Sequence, residues 1–436
     1  MSPSMSVTQL QSLAEKTLAR AQAHGADHAQ VGVSCVEVNE VNVEAGQITL
    51  YRSYVNQSVA LKVLRDGRVA TQTGNQFSED SLEKLAKDTA ESALGSPQDD
   101  ANAIAPQAAR IREKDGVEAI NEDLMMEKIQ TLVTQCREQF PITILEGASL
   151  TFRKSARVLV NSNGVDFQAE SGKYDAQAMF TSKKDGKASS FNYTGFELGD
   201  RFEDLLSYGG LQELLRQSAE QIHTQKVSQK FEGDLILTPH VLGSFLGMVF
   251  SYLSGARMLK KESFLYGKLG QRVASPHLSV RALPKSGPFV SRSHWTGDGL
   301  ASQDEVIFDH GVLGSYLLDQ YTAKKLSLNP SLSQGSHLRC LPGQEYSLNE
   351  MIAGTKSGVL LGRFSGGSPS ENGDFSGIAK NSYLIRDGQI QAPLSEAMIS
   401  GNLSSLIQSI DAISKESIHF GSEEMPWVRS QGITVS

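Results

Sequence analysis

Residues 235–255 read LILTPHVLGSFLGMVFSYLSG, a short apolar run that passes directly into a helical pattern. Leu235, Ile236 and Leu237 close a run of the kind that forms a buried strand. Thr238 stands where an N-cap belongs, and Pro239 fits the first helical position, where a missing N–H costs nothing. Val241, Leu242, Phe245, Leu246, Val249 and Leu253 recur on a 3.6-residue period, with Met248, Phe250 and Tyr252 on the other faces. A helix apolar nearly all round belongs in a core. Gly255 falls where such a helix terminates. Many hydrolases place catalytic groups where a strand enters a buried helix. Here the helix offers only Ser244, Ser251, the Tyr252 hydroxyl and His240 at its start, so the pattern reads as core.

Toward the N-terminus, helical and strand-like textures alternate. Residues 7–23 are amphipathic, with Leu10, Leu13, Leu18 and Ala21 among the apolar positions and Gly25 just beyond. Strand-like segments follow at 29–41, 48–54 and 55–64, and Asp66-Gly67 is a hairpin signal before RVATQT. Residues 78–94 return to helical spacing through Leu82, Leu85, Ala86 and Ala93. The run GSPQDDANAIAPQAA at 95–109 has linker composition. A helix at 122–139, strands within 142–193 turning at Asn163-Gly164 and Asp185-Gly186, and a long helix at 201–224 then repeat the outline. The two halves share too little sequence for a duplication to be read from them.

Beyond residue 231 glycines become dense and short strands outnumber helices. Gly297-Asp298-Gly299 opens a loop, and Asp309-His310-Gly311 separates two apolar runs as a hairpin does. A short helix is expected at 321–326. A Gly- and Ser-rich loop at 366–374 precedes strands at 381–385 and 389–392, joined by Asp387-Gly388. Residues 404–413 look helical. The expected fold is α+β in three parts. Helix and β-meander units occupy 1–110 and 111–229, and a mostly antiparallel, β-rich C-terminal domain at 230–436 surrounds the buried helix.

The whole chain sets further bounds. Its 436 residues are too many for one core. Hydrophobic residues at 39% and charged residues at 21% are ordinary for a globular protein. A formal charge of −8 argues against a dedicated nucleic-acid binder, because phosphate contacts need clustered Lys and Arg. A short basic spot, Lys260 and Lys261 near Arg257, reads as a solvated helix end. Cys35, Cys136 and Cys340 are far apart and odd in number, which suits free thiols in a reducing compartment. The opening MSPSMSVTQLQSLAEK lacks a basic start followed by an apolar block, and no apolar run reaches the ~20 residues of a membrane span. A cytoplasmic protein is expected.

Nine histidines and three cysteines form no chemical motif. No H-E-x-x-H places two imidazoles and a carboxylate on one helical face. His24 and His28 have the i, i+4 spacing, but Gly25 lies between them and no Glu follows His24. Cys340 lies three residues after His337 in what looks like a loop, where the two need not face each other. There is no G-x-S-x-G elbow and no G-x-x-x-x-G-K-[ST] phosphate loop. Long alternating hairpins, by contrast, leave strand edges that accept an extended peptide as an added strand.

The run GDGLASQDEVIFDHGVLGSYLLDQYTAKKL, the later GSH, and NGDFSGIAKNSYLIRDGQIQAPLSEAMISGNL resemble the TldD/PmbA family, whose members were named as modulators of DNA gyrase. The similarity includes the entry FEGDLILTPHVLGSFLGMVFSYLSG and extends along most of the chain. In that family the TldD type of subunit carries H-E-x-x-x-H on the helix after the third-domain strand, with a later cysteine completing a zinc site. The TldE (PmbA) type lacks them. Here the corresponding helix reads FLGMVFSYL and no Cys follows Cys340, so the chain resembles the TldE type. The resemblance implies a cytoplasmic heterodimer that degrades unfolded peptides in a space between the subunits. It implies zinc and the catalytic base in a TldD-type partner, and neither metal ligand, cofactor nor catalytic residue in this chain. Together with glycine density, the resemblance points to Gly297, Asp298, Gly299, Gly373, Asp374, Phe375 and Ser376 as substrate-binding residues. No nucleic-acid or membrane partner is implied.

Two readings compete. A stand-alone hydrolase would build its metal site from residues distant in sequence; stoichiometric zinc and chelator-sensitive activity would mark it. A gyrase- or DNA-directed regulator rests on the family's historical name, and retention on DNA at physiological salt would mark it. In isolation, the surface meant for the partner would favour a homodimer.

Overall fold

The computed structural model describes residues 5–436. Eight strands form the N-terminal sheet: β1 (His28–Glu44), β2 (Gln47–Arg65), β3 (Arg68–Gly74), β4 (Ala109–Gly116), β5 (Thr143–Asn161), β6 (Val165–Lys184), β7 (Lys187–Ala188) and β8 (Asn192–Leu198). The order is β3-β2-β1-β5-β6-β4, with β7 and β8 also on β6. The first long strand of each half, β1 and β5, therefore meet antiparallel at the centre of one sheet. Along the far side of β6, β4 pairs with residues 165–172 in parallel and β8 pairs with 174–180 antiparallel, end to end. The segments expected at 48–54 and 55–64 are one continuous strand, β2.

Alternation gives this sheet two unlike faces. Val31, Val33 and Cys35 pack under α1 (Val7–Ala23) and α2 (Glu79–Gly95). Val43, Leu150, Phe152, Tyr174 and Ala176 pack in the cluster of α3 (Glu122–Gln139) and α4 (Leu211–Glu220). All four helices cover the same face. On the other face, Leu159 and Phe167 meet Trp295 of the C-terminal domain at one end, and the opposite end is left open.

The C-terminal domain is built on β9 (Phe231–Leu237), which runs into α5 (Pro239–Ser251). Its thirteen-stranded sheet is mostly antiparallel, but β9 pairs in parallel with Ser357–Leu361, as does Leu338–Cys340 with Glu424–Val435. Val241, Leu242, Phe245, Leu246, Val249 and Phe250 all enter its largest apolar cluster. No helix of the described residues is long and apolar enough to cross a membrane.

Local expectations fail where the backbone turns left-handed or a strand finds a partner. The long helix expected at 201–224 is interrupted at Gly209 and Gly210, with φ of +56° and +67°, leaving a single 3-10 turn before α4. A Cβ on Gly209 would stand 2.3 Å from the Phe196 ring, so the close turn requires glycine. Gly255 starts a helix, Gly255–Lys260, rather than ending one. A Cβ there would lie 2.2 Å from Thr322 Oγ1, so it permits contact with the next helix, Gln320–Leu326. Only Leu403–Gln408 of the helix expected at 404–413 is helical; from Ile410 the chain joins the edge of Glu424–Val435 as a strand. The linker ends in β4, whose partner strand lies more than fifty residues later, beyond the reach of local pattern.

Candidate functional site

By resemblance, α5 is the element from which zinc subunits of the family take their ligands, so its chemistry comes first. Its one imidazole, His240, donates from Nε2 to the Gly209 carbonyl at 2.8 Å and stands edge-on to Phe420. A carbonyl only accepts, so Nε2 carries the proton. Burial, and secondarily the charge of Arg363, lowers His240 to about 4, so the ring is neutral near pH 7. A carboxylate approaches the helix at Glu423, 3.4 Å from where a Cβ on Gly243 would lie; burial and then Glu197 push its pKa up. Among the described residues no group of three or more His, Cys, Asp or Glu is placed to hold an ion. The side chains of α5 do not fit a metal centre.

The other motif candidates resolve into separate structural roles. His24 pairs with Glu83 at 2.7 Å, whereas His28 lies 3.4 Å from Ser162 Oγ, so the i, i+4 pair does not converge. Cys340 is buried, and burial together with the Glu424 charge pushes its thiol up to about 12, which removes the thiolate needed for nucleophilic chemistry. Cys136 is likewise pushed up to about 12 by burial.

Charged groups concentrate on the middle of the open sheet face. Lys173 on β6 pairs with Glu197 on β8, and Asp175 bridges Lys173 and Arg153. Above them Ser291 Oγ donates to Glu197 Oε2 at 2.6 Å, and His337 Nε2 lies 3.4 Å from the same Ser291 oxygen. Serine beside histidine invites a catalytic reading. Here the hydroxyl proton is committed to Glu197, and the buried His337 Nδ1 has no partner to orient the ring, so no proton relay is set up. With His294–Asp115 at 2.5 Å, these contacts tie the C-terminal domain to the sheet.

The end of the face that the C-terminal domain leaves open forms a groove of about 660 Å³. Asn42 and Glu44 of β1, Gly147 and Ser149 of β5, Gln177 and Met179 of β6, and Tyr193 and Gly195 of β8 contribute to its lining. Met179, Tyr193 and the neighbouring Phe191 are 43%, 49% and 55% exposed, an unusual grouping of large apolar side chains. β8 borders this groove and bonds only β6 within the sheet. The Glu197 N–H points away from β6, donating to the Phe420 carbonyl at 2.8 Å. Gly195, two residues earlier, presents its backbone in the same outward direction. The arrangement is chemically simple: an apolar floor beside the Gly195 backbone at a strand edge, the neighbouring Tyr193 N–H being taken by Asn192 Oδ1 at 3.0 Å. It suits an extended peptide.

The residues expected to bind substrate fall into two places, and no hydrogen bond or ion pair among the described residues joins them. Gly297, Asp298 and Gly299 lie against the N-terminal sheet. The Gly297 carbonyl accepts from Gln30 Nε2 at 3.0 Å, Asp298 faces Lys62 at 3.8 Å and caps the Gln320 N–H at 2.9 Å, and Gly299 sits over Gln30. The second set surrounds a turn tied to α5 through Tyr252 OH and the Ser370 carbonyl. Gly373 has φ +93°. Asp374 accepts from Asn402 and Asn372 at 2.9 and 2.8 Å, which hold its carboxyl below the usual range. Phe375 packs edge-on to Phe245, and Ser376 is exposed. The groove residues were not among the expectations. Their sequence signal is Phe191 and Tyr193 spaced two apart at the start of a strand, which a core strand shows equally well.

Comparison with known proteins agrees with this architecture. Residues 230–436 match the sequence model of the PmbA/TldA metallopeptidase C-terminal domain, and residues 31–93 match that of PmbA/TldA metallopeptidase domain 1. A metalloprotease PmbA homologue from Buchnera aphidicola is 26% identical over 275 residues, covering 62% of this chain and 60% of the relative. A zinc metalloprotease TldD homologue from Saccharolobus solfataricus is 29% identical over 198 residues, covering 42% of this chain and 44% of the relative. These alignments thus span less than two thirds of either relative. The crystal structure of TldE from Thermococcus kodakarensis superposes with a TM-score of 0.83 at 18% identity, covering 97% of this chain and 100% of that one, a likeness of fold. Two matched domains and a fold shared end to end place this chain in the PmbA/TldD family of metalloproteases.

Proposed function

We propose that this chain is the TldE-type, non-metal-binding subunit of a heterodimeric zinc metallopeptidase of the cytoplasm. A TldD-type partner supplies zinc and the catalytic base. This chain closes the chamber and holds unfolded peptide by its backbone, the groove beside β8 being the main surface and the loops at 297–299 and 373–376 contributing. Hydrolysis by an activated water needs a Lewis acid and a general base. The observation that carries the proposal is the hydrocarbon character of α5, where His240 is bonded to a backbone carbonyl and the remaining core positions are aliphatic or aromatic. A relative named as a zinc metalloprotease TldD homologue, and a TldE of the same fold, support the division of labour.

The test is co-expression with a TldD-type chain, scoring co-purification, zinc content and peptidase activity for each chain and for the pair. We expect a stable pair whose activity far exceeds either chain alone, with zinc following the partner. Activity of this chain alone equal to that of the pair, lost on chelation, would overturn the proposal in favour of a stand-alone enzyme.

A further inference from the structure

Arg363 lies on the strand Arg363–Gly366 of the C-terminal domain and reaches the N-terminal sheet at the border of the groove. Its guanidinium stacks 4.0 Å from the centroid of Tyr193, a groove wall, and Nε donates to Asn192 Oδ1 at 2.8 Å. Asn381 Nδ2 donates to the Phe191 carbonyl at 2.9 Å, fixing the same corner from the other side. The remaining guanidinium nitrogens are unspent. Nη2 is buried with no partner, and no hydrogen bond of Nη1 is present among the described residues.

Guanidinium groups removed from water are ordinarily matched by a carboxylate, commonly through two parallel N–H donors. Arg363 forms no ion pair among the described residues. The facing residue across the strand pair is Lys380, itself paired with Glu396. The nearby imidazole, His240, is kept neutral partly by the Arg363 charge. Burial without a counterion lowers even the guanidinium, to about 10. A ring face and one amide oxygen offset part of that burden and leave the charge uncompensated.

We propose that Arg363 is the receptor for a carboxylate of the peptide lying in the groove, either the C-terminal carboxylate or an Asp or Glu side chain. The inference rests on the groove's being a peptide-binding surface and adds a specificity-determining residue to it. Strand pairing along β8 treats all sequences alike, because it uses the backbone. A half-buried guanidinium without a counterion does not, since an anion brings its free donors the charge-assisted bonds they lack, the accessible Nη1 first.

The experiment measures binding of three fluorescent, alanine-rich hexapeptides to the full-length chain by anisotropy. One has a free C-terminus, one is amidated, and one is amidated with an internal Asp. We expect at least one carboxylate-bearing peptide to bind tenfold or more tightly than the plain amide, and the tighter of the two identifies the source of the carboxylate. Arg363→Met should erase that preference while leaving amide binding unchanged. Asn192→Asp keeps the shape of the corner and places a carboxylate beside the guanidinium, so it should erase the preference in a chain at least as stable as the parent. Equal binding of all three peptides to the parent would overturn the role of Arg363 and leave the groove standing, as would a uniform loss of binding in R363M. Absence of binding by every peptide would overturn both.

Discussion

His240 shows how one residue at a domain seam couples packing to protonation. Its Nε2–H serves the Gly209 carbonyl, which Thr194 Oγ1 also reaches at 2.9 Å, so the ring pins the left-handed turn before α4 to the start of α5. The folded pKa of about 4 lies below the ordinary 6.5 because burial, then Arg363, penalises the cation. The unfolded chain therefore takes up a proton that the folded chain refuses. Stability from this group is complete above pH 6.5, falls as pH drops toward 4, and is level below that; the whole span is about 3 kcal/mol at most. Replacing His240 with Phe removes the pH-dependent component. Urea denaturation of both proteins at intervals between pH 4 and 7.5 checks this, and an unchanged slope in H240F would count against it. None of this was legible in the sequence, where His240 is one polar residue at the start of an apolar helix.

At the scale of elements, α5 was legible and its surroundings were not. The 3.6-residue stripe, the N-cap position and Pro239 located the helix from composition alone, and Pro239–Ser251 is its extent. What packs on it came from more than a hundred residues later: Phe245 sits in a triangle with Phe364 and Phe375 at 5.2 and 5.4 Å. Phe375 entered the sequence reading as a candidate for substrate contact, and the structure gives its ring a place in this buried triangle. Phe375→Ala is expected to cost about 3 to 5 kcal/mol through the cavity it leaves. Thermal and urea unfolding measure that cost. A variant as stable as the parent but weak in peptide binding would restore the ring to the binding surface. The Asp-Gly turns at 66–67, 185–186 and 387–388 were also legible, because both residues adopt positive φ as a two-residue hairpin requires. The break at Gly209-Gly210 was missed although a glycine pair weakens any helix; that both residues turn left-handed is set by Phe196 and His240 packed against them.

For the whole molecule, the central fact is that β1 and β5 pair along fifteen residues. We propose that the units at 1–110 and 111–229 fold as one body against residues 230–436. A fragment of residues 1–110 would carry β1 with one long edge unpaired, an invitation to aggregate. Residues 1–229 keep that pairing and are expected to give a soluble, cooperatively unfolding fragment where 1–110 gives aggregates. Light scattering and circular dichroism on the two fragments decide the matter, and a monomeric, folded 1–110 would refute it.

The sequence by itself determined most of the elements and the α+β class, because hydrophobic period, capping and hairpin turns act over a few residues. It determined as well that α5 carries hydrocarbon where metal chemistry needs donors, since residue identity suffices for that. Only the tertiary structure decided that two units share one sheet, that its open face forms a groove beside β8, and that Arg363 stacks on Tyr193 with a buried Nη2 and no counterion. Pairing, exposure and charge compensation depend on what lies across space, and residues 363 and 193 are neighbours there alone.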